Sequence, residues 1–356
     1  MLKILFINSS PFYGGTEKWA ITTATILQKK GHHIWFAYRF HNIHQHAIDQ
    51  GLTTIYFPLR NDIDFRSVIK LRKFIVQNSI DTVIATKVRE YWLGGWAAKL
   101  TATPFIIRLG IHRKLKKSIK NKLIYRYIMT AMIVNTHSIK ETLLENDLID
   151  PKRIHVIYNG IDCPNSLEQM SKKNNDINLI YVGSLTRRKN VRTIVQIFYK
   201  LQKQIELNNI HLWLVGEGPE KDKLQKYVNE LDIKKRVRFW GHRDDIPDIL
   251  QQADIMLVLS QSEGFPNAAM EAMAFGVPLV ISKLDGVEEF VSHGNTAFIV
   301  DPANEENIIQ ILKVLIKDPE IHQKIRTNAF QHMTTNFSLS YMTERIEHML
   351  RSVLNG

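Results

Sequence analysis

Asp254-Ile-Met-Leu-Val-Leu-Ser260 and, shortly afterwards, Glu263-Gly-Phe-Pro-Asn-Ala-Ala-Met-Glu271 decide the fold of this chain. Between Asp254 and Ser260 the first run is continuously apolar, as expected of a buried parallel strand. The second leads into a helix that we expect to begin at Pro266, because proline is favoured in the first helical position. That helix should end near Gly276, and Pro278-Leu-Val-Ile-Ser282 is then the next strand. The stretch predicts a strand–loop–helix–strand unit of a parallel α/β sheet.

Two carboxylates lie near the amino end of this helix, Glu263 in the loop and Glu271 about a turn and a half into the helix. Eight residues at ~100° each would separate them by about 80°, so they are not a stacked pair on one helix face. The free N–H groups and the positive dipole at a helix start favour a bound phosphate, and Gly264 lets a ligand approach the backbone closely. Carboxylates are suitable hydrogen-bond acceptors for the hydroxyl groups of a sugar. The spacing indicates a sugar nucleotide across the helix start; the alternative is a loop acid and a solvent-facing helix glutamate.

Length and composition indicate a globular protein with two domains, since 356 residues exceed a typical single core. The hydrophobic content of 44% is ordinary for such proteins. Cys163 is the single cysteine, so no internal disulfide forms, which fits a reducing, cytoplasmic compartment. We interpret the opening apolar run as a first strand and not as a signal peptide. No apolar run approaches the ~18–20 residues that span a bilayer.

The net charge of +12 lies in the first half of the chain. Residues 1–170 contain 24 Lys and Arg against 12 Asp and Glu, whereas residues 171–356 contain 23 of each. The densest part, residues 113–126, holds seven basic residues and no acid. Apolar or aromatic residues recur there every four positions, at a helical spacing; they are Leu115, Ile119, Leu123 and Tyr127.

This pattern predicts a basic amphipathic helix that lies on an anionic membrane surface, peripherally on the inner face of the cytoplasmic membrane. The alternative is a solvated basic face whose apolar stripe packs on the core. A nucleic-acid partner is not favoured, because no nucleic-acid module signature is present. The residues expected to meet a membrane or an acceptor are Arg113, Lys114, Lys116, Lys117 and Lys120.

Predicted strands and helices alternate in two series. In the first, the strands are Lys3–Asn8, His33–Tyr38, Thr82–Ala85, Phe105–Leu109, Ala131–Val134 and Arg153–Ile157, and the helices are Thr16–Lys30, Arg66–Gln77, Tyr91–Leu100 and Ser138–Glu145. In the second, beside the unit quoted first, the strands are Asn178–Val182, His211–Val215, Val237–Trp240 and Thr296–Val300, and the helices are Val191–Gln204, Glu220–Leu231 and Glu305–Ile316.

Alternation of this kind predicts parallel sheets covered on both faces. The predicted fold class is α/β, with two doubly wound Rossmann-like domains facing a central cleft. The polar stretch Cys163–Asp176 is the natural linker, so the domains are assigned to residues 1–165 and 166–337. A ligand is expected at the carboxyl ends of the strands. The last helix, Tyr341–Leu354, could pack on either domain.

Three consecutive cations, Arg187, Arg188 and Lys189, follow the first strand of the second domain and precede a helix. Cations at a helix start oppose the helix dipole, so a bound anion is the better explanation of their position. Lys and Arg suit a diphosphate leaving group. The alternative is a solvated loop.

Glycines at the ends of other strands permit tight turns close to a ligand. Gly14 and Gly15 follow the first strand, without the dinucleotide-binding glycine fingerprint, while Gly216 and Gly241 end strands of the second domain. Ordinary strand-to-helix turns explain these glycines equally well. His112 ends a strand of the first domain and could contact the transferred sugar. No cluster of His, Asp and Glu has metal-ligand spacing.

Taken together, the chain resembles a retaining glycosyltransferase of family 4 with the GT-B fold, over nearly its whole length. The matching motifs are Gly14-Gly15, Val156-Ile-Tyr-Asn-Gly-Ile-Asp162, Val182-Gly183 with Lys189, Val215-Gly-Glu-Gly-Pro219 and Glu263 to Glu271. The resemblance implies an acceptor-binding first domain, a donor-binding second domain, a C-terminal helix (338–356) that returns to the first domain, and no metal.

The resemblance also implies roles for the matched residues. Glu271 holds the ribose hydroxyls, Glu263 holds hydroxyls of the donor sugar, and Lys189 neutralises the departing diphosphate. Sugar and phosphate are bound by the amides of Phe265, Asn267 and Ala268 beside Gly264 and Pro266. Gly183, Ser184, Arg188, Gly216, Gly241, Gly14 and Gly15 complete the donor site, and the residues assigned to catalysis are Glu263, Lys189, Arg187 and His112.

The chain departs from the family pattern at Ser184, where the family commonly has arginine, and Arg187 or Arg188 would supply that charge. His112 matches the family histidine only loosely. The expected reaction moves a sugar from a nucleotide donor, with UDP preferred, to a saccharide or lipid-linked acceptor of a cell-surface glycan such as lipopolysaccharide. Rival interpretations are a sugar-nucleotide epimerase of the same architecture and an inactive sugar-nucleotide-binding protein. The oligomeric state cannot be read from the sequence.

Overall fold

The chain folds into two compact units, described by a computed structural model over residues 1–145, 147–167, 176–205, 207, 209–262 and 266–355. The first unit is Met1–Asn159 together with Ser340–Gly356, and the second is Gly160–Leu339. The change of unit therefore falls between Asn159 and Gly160, a few residues before the boundary expected at residue 165.

The first unit is built on a seven-stranded parallel sheet with the order β3-β2-β1-β4-β5-β6-β7. Its strands are β1 Lys3–Asn8, β2 His33–Tyr38, β3 Thr53–Tyr56, β4 Thr82–Ala85, β5 Phe105–Leu109, β6 Ala131–Val134 and β7 Ile154–Val156. The helices of its first segment are α1 Gly15–Lys29, α2 His41–Asp49, α3 Phe65–Gln77, α4 Val88–Lys99, α5 Ile119–Lys122 and α6 His137–Leu144. A π-helix, Leu123–Ile128, continues α5, and a 3-10 turn, Pro151–Arg153, precedes β7.

The second unit has a six-stranded parallel sheet with the order β10-β9-β8-β11-β12-β13. Its strands are β8 Ile177–Val182, β9 Ile210–Val215, β10 Val237–Gly241, β11 Ile255–Val258, β12 Leu279–Ser282 and β13 Phe298–Val300. The remaining helices of the chain are α7 Val191–Gln204, α8 Lys221–Glu230, α9 Ile246–Leu250, α10 Asn267–Ala274, α11 Glu305–Lys317, α12 Pro319–Asn336 and α13 Leu339–Asn355. The 3-10 turns of the second unit are Arg187–Lys189, Lys234–Arg236 and Val287–Glu289.

Both sheets confirm the predicted fold class of two doubly wound α/β domains. Every residue of the central strands β4, β5, β11 and β12 is buried, because helices cover both faces of a parallel sheet. In each unit the strand order reverses beside the first strand, next to β4 in the first and next to β11 in the second. Ligands of doubly wound sheets bind at this reversal, the topological switch point.

The quoted stretch forms the predicted unit, with small shifts at its ends. The strand is β11, the helix is α10, and the next strand is β12. Pro266 stands at the N-cap, one position before the helix begins at Asn267. Gly276 adopts a left-handed φ of 64° just after the last turn, the conformation in which glycine ends a helix at little cost.

The sequence patterns do not predict α2, β3, α9 or α12. In α2 only Ile43 and Ala47 are buried, which is too short a stripe to stand out in a polar, histidine-rich segment. Strand β3 is the edge of its sheet, and none of its residues is fully buried. For α12 a signal was present, because Asp318 caps the helix and Pro319 opens it.

The predicted basic helix over residues 113–126 is wrong in its first half. Helix α5 begins only at Ile119, where the Ser118 side chain accepts a hydrogen bond from Asn121 N. The preceding cations at i, i+3 and i+4 would repel one another on a helix. Leu115 is buried but Ile119 is 82% exposed, and the π-helix turns Ile124, Tyr125 and Ile128 inwards, so the stripe of every fourth residue does not exist.

All of α13 except Leu339 belongs to the first unit, where Glu347 joins it to the loop that follows α1. The Glu347 carboxylate lies 2.7 Å from Lys30 Nζ and 2.9 Å from His32 Nε2. Burial opposes ionisation of Glu347, yet the hydrogen bonds from Lys30 and His32 leave its pKa below the usual value. Buried Ile346, Leu350 and their neighbours supply the apolar part of this contact, at roughly 1.5–3 kcal/mol each.

Candidate functional site

The loops after β8 and β11 meet at the switch point of the second unit, where a ligand is expected. The loop after β8 carries the cationic turn, which we define as residues Arg187–Lys189. The loop after β11 leads into α10. Gln261 N donates to Arg188 O at 2.9 Å, and the Arg188 guanidinium donates to Ser262 O. These bonds hold the cationic turn against the segment just before Glu263.

Leu185 anchors the cationic turn in the core of the second unit. Its side chain is fully buried, its N–H donates to Glu217 O at 2.9 Å, and its carbonyl accepts from Glu220 N at 3.0 Å. Arg187 and Arg188 are exposed and Lys189 is half-buried. Asn190 ends the turn with a left-handed φ of 55° and starts α7. The cations therefore precede the helix, instead of lying in its first turn.

Thr186 lies directly before the cationic turn and was missed by the sequence analysis. Its hydroxyl is buried and has no hydrogen-bond partner among the residues that the structure describes. Buried hydroxyls normally have a partner, because leaving one unpaired costs roughly 1–3 kcal/mol. No sequence motif marks a threonine as unpaired, so only the structure could reveal it.

Helix α10 presents one polar face near its amino end. Asn267, Ala268 and Glu271 are half-buried, and their spacing of three and four residues places them on the same side. Ala269, Met270, Ala272, Met273 and Ala274 are buried on the opposite side. Pro266 at the N-cap has no side-chain acceptor for the first N–H groups of the helix. These N–H groups and the positive end of the helix dipole therefore lie at the helix start, where they favour an anion. Glu263, Gly264 and Phe265 lie outside the described residues.

Three glycines end the adjacent strands β8, β9 and β10 and bring their loops into contact. Gly183 N donates to Val215 O at 2.9 Å, and Gly216 N donates to Gly241 O at 2.7 Å. A Cβ on Gly216 would lie 2.0 Å from the Gly183 carbonyl oxygen, and Gly216 has a φ of +132°. Gly216 is therefore required by both space and backbone conformation, which favours a role in shaping the loops.

We expect Gly216→Ala to destabilise the second unit by about 2 kcal/mol or more, because the new methyl group meets backbone and cannot be relieved by a side-chain rotation. Denaturant unfolding measures this loss. Gly294→Ala is the matched control: its φ is also positive, at +72°, but its Cβ would meet no atom within 4 Å. Equal losses in the two variants would show that the close contact at Gly216 has no energetic weight.

At the switch point of the first unit the loops after β1 and β4 are joined by a carboxylate that sequence reasoning missed. Glu90, on α4, is fully buried. It accepts hydrogen bonds from Thr86 N and Lys87 N, each at 2.9 Å, and from Ser9 N. Burial raises the pKa of Glu90 to about 7 despite these donors. The available signal was its place three residues after the helix cap, where a glutamate completes a capping box.

Arg108 is a second buried charge in this region, only 3% exposed at the end of β5. Its guanidinium donates to Asn159 Oδ1 at 3.0 Å and to Thr16 Oγ1 at 3.4 Å, and lies 4.9 Å from the Trp19 ring centroid. Burial lowers the pKa of Arg108 to about 10. Its charge in the apolar run Phe105–Leu109 was the signal that could have identified it. Asn159 belongs to the motif Val156–Asp162.

Gly14 and Gly15 stand at the start of α1, beside this polar region. Gly14 has an extended backbone, with φ −152° and ψ −167°, so its conformation does not require glycine. A Cβ there would lie 3.4 Å from Glu17 Oε2. The buried Glu17 carboxylate in turn lies 2.6 Å from Lys87 Nζ. The two glycines thus begin a helix whose first turn carries Glu17, a buried carboxylate paired with the partly exposed Lys87.

Two glycosyltransferase family models match the chain, one for each half. Residues 13–164 match Glycosyltransferase Family 4, and residues 164–332 match Glycosyl transferases group 1. By family, the chain is a glycosyltransferase. The two matches meet at residue 164, close to the point where the first compact unit gives way to the second.

The chain is also similar to curated relatives, and a solved structure shares its fold. N-acetyl-alpha-D-glucosaminyl L-malate synthase of Bacillus anthracis is 30% identical over 237 residues, which span 64% of this chain and 60% of that relative. UDP-Gal:alpha-D-GlcNAc-diphosphoundecaprenol alpha-1,3-galactosyltransferase of Escherichia coli is 23% identical over 98% of this chain and 96% of that relative. Anabaena Alr3699/HepE, solved in complex with UDP, aligns with a TM-score of 0.83 and 20% identity, over 99% of this chain and all of that chain.

The basic segment of the glycosyltransferase, residues 113–120, lies in its first unit. Lys116 and Lys117 are exposed, whereas Lys114 Nζ lies 3.3 Å from Glu145 and Lys120 pairs with Asp62. Arg113 is half-buried. The segment therefore keeps a net positive charge, although it is not a helix before Ile119.

His112 is exposed beyond β5, with its Nδ1 3.4 Å from the Thr142 hydroxyl. Within the described parts of the glycosyltransferase, no group of three or more His, Cys, Asp or Glu side chains is arranged to hold a metal ion. Over the same residues, no helix combines the length and hydrophobicity needed to cross a bilayer.

Proposed function

We propose that this glycosyltransferase moves a sugar from a nucleotide-sugar donor to an acceptor with retention of the anomeric configuration. The observation that carries the proposal is the pairing of the cationic turn with Gln261 and Ser262, in the loop that leads from β11 to α10 at the switch point of the second unit. The turn supplies positive charge for a diphosphate, and the face of α10 supplies a carboxylate for hydroxyls. Such a site fits a nucleotide sugar better than a simple phosphate ester.

Each group has a proposed role in the donor complex. Glu271 accepts hydrogen bonds from the ribose hydroxyls, and the amides near Asn267 and Ala268 bind sugar or phosphate oxygens. Lys189 and Arg187 are assigned to the diphosphate. Arg187 supplies the positive charge that the family commonly has at the position of Ser184. Glu263 is proposed to hold hydroxyls of the transferred sugar.

The sugar–phosphate bond breaks as negative charge grows on the leaving diphosphate. Lys189, a neighbouring arginine and the amino end of α10 stabilise that charge where it forms, which lowers the barrier without any covalent step. The acceptor hydroxyl attacks from the side of the leaving group, and its proton passes to the departing phosphate oxygen. Attack from that face retains the anomeric configuration. We propose that no metal is needed, because these cations take its place; full activity in excess EDTA is the expected result.

UDP is the preferred nucleotide, and two comparisons support this choice. The Escherichia coli relative is named for UDP-galactose, and the Anabaena structure was solved with UDP. The proposed acceptor is a saccharide or a lipid-linked saccharide of a cell-surface glycan, since the same relative is named for a diphosphoundecaprenol-linked acceptor. The basic first half, including exposed Lys116 and Lys117, suits an acceptor with phosphates and attachment to the inner face of the cytoplasmic membrane.

Thermal unfolding with and without UDP, GDP and ADP tests the donor site. A nucleotide at 100 times its dissociation constant should stabilise the protein by about 2.7 kcal/mol. We expect this shift with UDP and its sugars, and a much smaller shift in Glu271→Ala, because that variant loses the acceptor for the ribose hydroxyls. Glu306→Ala is the matched control, an exposed glutamate on α11 of the same unit. A shift of equal size in Glu271→Ala and the wild type would exclude the ribose role.

Product analysis separates transfer from the alternatives. Incubation with the donor alone should leave the sugar nucleotide unchanged, and product should appear only when an acceptor is added. An epimerised sugar nucleotide formed without acceptor would replace the proposal by an epimerase. Nucleotide binding without any product from a panel of lipid-linked and free saccharide acceptors would favour an inactive binding protein.

A further inference from the structure

The first unit contains an apolar cavity of about 640 Å³, which is not part of the donor site. It lies among α3, α4, α5 and the π-helix that continues α5. Its volume is within the range of ligand pockets in proteins. The side chains that line it are Asp62, Ile63, Phe65, Val68, Trp92, Leu93, Trp96, Leu100, Ile119, Lys120 and Leu123.

Exposed apolar side chains extend from the mouth of the cavity onto the surface. On α3, Phe65 is 68% exposed and Ile69 is 65% exposed, four residues apart and so on one face. On α4, the half-buried Trp92 and Trp96 follow the same spacing of four, and their indole rings pack edge to face at 5.7 Å. Leu100, four residues further on and just after the helix, is exposed. Soluble monomers rarely expose such a contiguous apolar surface unless it contacts a partner or a membrane.

Three of the lining residues, Asp62, Trp92 and Lys120, have polar groups that are engaged with one another. Trp92 Nε1 donates to Asp62 O at 2.9 Å, and the Lys120 ammonium pairs with the Asp62 carboxylate. Lys120 Nζ also lies 5.4 Å from the centroid of the Trp92 ring. A peptide or a sugar would leave its own polar groups unpaired inside this cavity, at a cost. Hydrocarbon is therefore the chemistry that fits.

The segments that form the cavity are strongly basic. Residues 60–77, 88–100 and 110–130 together contain fourteen Lys and Arg and three Asp and Glu. Two of the acids have structural partners close by, since Asp62 pairs with Lys120 and Asp64 caps α3. The third, Glu90, is buried. An apolar surface surrounded by cations complements a bilayer whose headgroups are anionic.

We propose that this cavity takes one acyl chain of an anionic membrane phospholipid when the face formed by α3, α4 and α5 lies on the bilayer. Trp92 and Trp96 lie at the level of the headgroups, where amphipathic aromatic rings are favoured. The exposed Lys116 and Lys117 contact the phosphates, with their alkyl stems along the apolar surface. The proposal deepens the membrane attachment proposed above and does not depend on sugar transfer.

Quenching by brominated acyl chains tests whether the chain enters the cavity. Vesicles of phosphatidylglycerol and phosphatidylcholine with bromine on the acyl chains should quench part of the tryptophan fluorescence, because bromine acts at contact. The quenched part should disappear in Trp92→Phe/Trp96→Phe, while Trp19, Trp35, Trp213 and Trp240 supply the background. Vesicle binding without quenching beyond that of the double variant would overturn the proposal in favour of purely electrostatic contact.

Vesicle sedimentation separates apolar from charged contributions. Phe65→Ser/Ile119→Ser should bind phosphatidylglycerol vesicles at least tenfold more weakly at high salt, since both side chains are exposed and their loss costs little stability. Val314→Ser, exposed on α11 of the second unit, is the matched control and should bind like the wild type. The UDP-induced thermal shift, measured on the same variants, reports on the donor site alone. Loss of that shift would contradict the proposed function, whereas unchanged vesicle binding would contradict only this inference.

Three results would overturn the acyl-chain site. One is equal vesicle binding by Phe65→Ser/Ile119→Ser and the wild type. Another is binding that appears only when a polyprenyl phosphate is added to the vesicles, which would make the acceptor lipid the occupant. The third is concentration-dependent dimerisation of the free protein in sedimentation velocity, abolished by the same double variant, which would make a second copy of the chain the partner.

Discussion

Lys189→Met is expected to lower kcat by about 10²–10³ while changing the KM for the donor far less. The size follows from removing one preorganised positive group from the place where charge develops in the transition state. Substrate already carries most of the diphosphate charge, but the charge on the bridging oxygen appears only as the bond breaks. Initial rates over a range of donor concentrations measure the two constants separately.

Lys203→Met provides the matched control for this variant. Lys203 lies on α7 of the same unit, and its Nζ is 4.3 Å from the Tyr199 ring centroid. The control variant therefore loses one positive charge at a place that is distant from the switch point. We expect kcat to stay within about twofold of the wild type, because surface charges at a distance are screened by salt. Equal losses in both variants would show that net charge matters, and not the position of Lys189.

Glu90→Ala is expected to destabilise the first unit by about 3 kcal/mol or more. The substitution removes the acceptor of three backbone N–H groups, on Ser9, Thr86 and Lys87. Each buried donor without a partner costs roughly 1–3 kcal/mol, with entry of water reducing the sum. The change also frees the loop after β1 from the loop after β4. Urea unfolding, followed by circular dichroism, measures the loss.

The pH dependence of stability provides a second observable for the same residue. Burial raises the pKa of Glu90 from 4.5 to about 7, so the folded state binds a proton more tightly than the unfolded state does. The resulting stabilisation is complete below the unfolded pKa near 4.5 and is lost as the pH rises through 7, a change of order 3 kcal/mol. Glu90→Gln should remove this slope. An unchanged slope in Glu90→Gln would assign it to another group.

The fold could be predicted because the deciding pattern is local. Strands such as β11, Ile255–Val258, are continuous apolar runs. Gly276 and Pro278 mark where a helix ends and a strand begins. Parallel strands buried on both faces need such runs. Where the apolar signal is weak, as in polar α2 or the edge strand β3, prediction failed because tertiary contacts, and not local periodicity, stabilise these elements.

The candidate site divides in the same way. The sequence predicts site roles for the acids Glu263 and Glu271 and for the cations Arg187 to Lys189, the cations because positive charge beside a helix start opposes the helix dipole. These roles stay predictions. The structure brings the loop after β8 against the loop after β11, which no spacing along the chain encodes. It leaves His112 exposed, and its description does not extend to Glu263.

By itself, the sequence determined the α/β class, the two domains, the glycosyltransferase resemblance and the excess of positive charge in the first half. These features follow from periodicity, from the positions of glycine and proline, and from charge counts. All of these are properties of residues close together along the chain, so a single sequence is enough to identify them. Only the tertiary structure decided that Thr186 is buried without a described partner, that Glu90 joins two loops, and that residues 113–118 form no helix. These depend on burial and on contacts between distant segments, because desolvation and hydrogen bonding act in space and not along the chain.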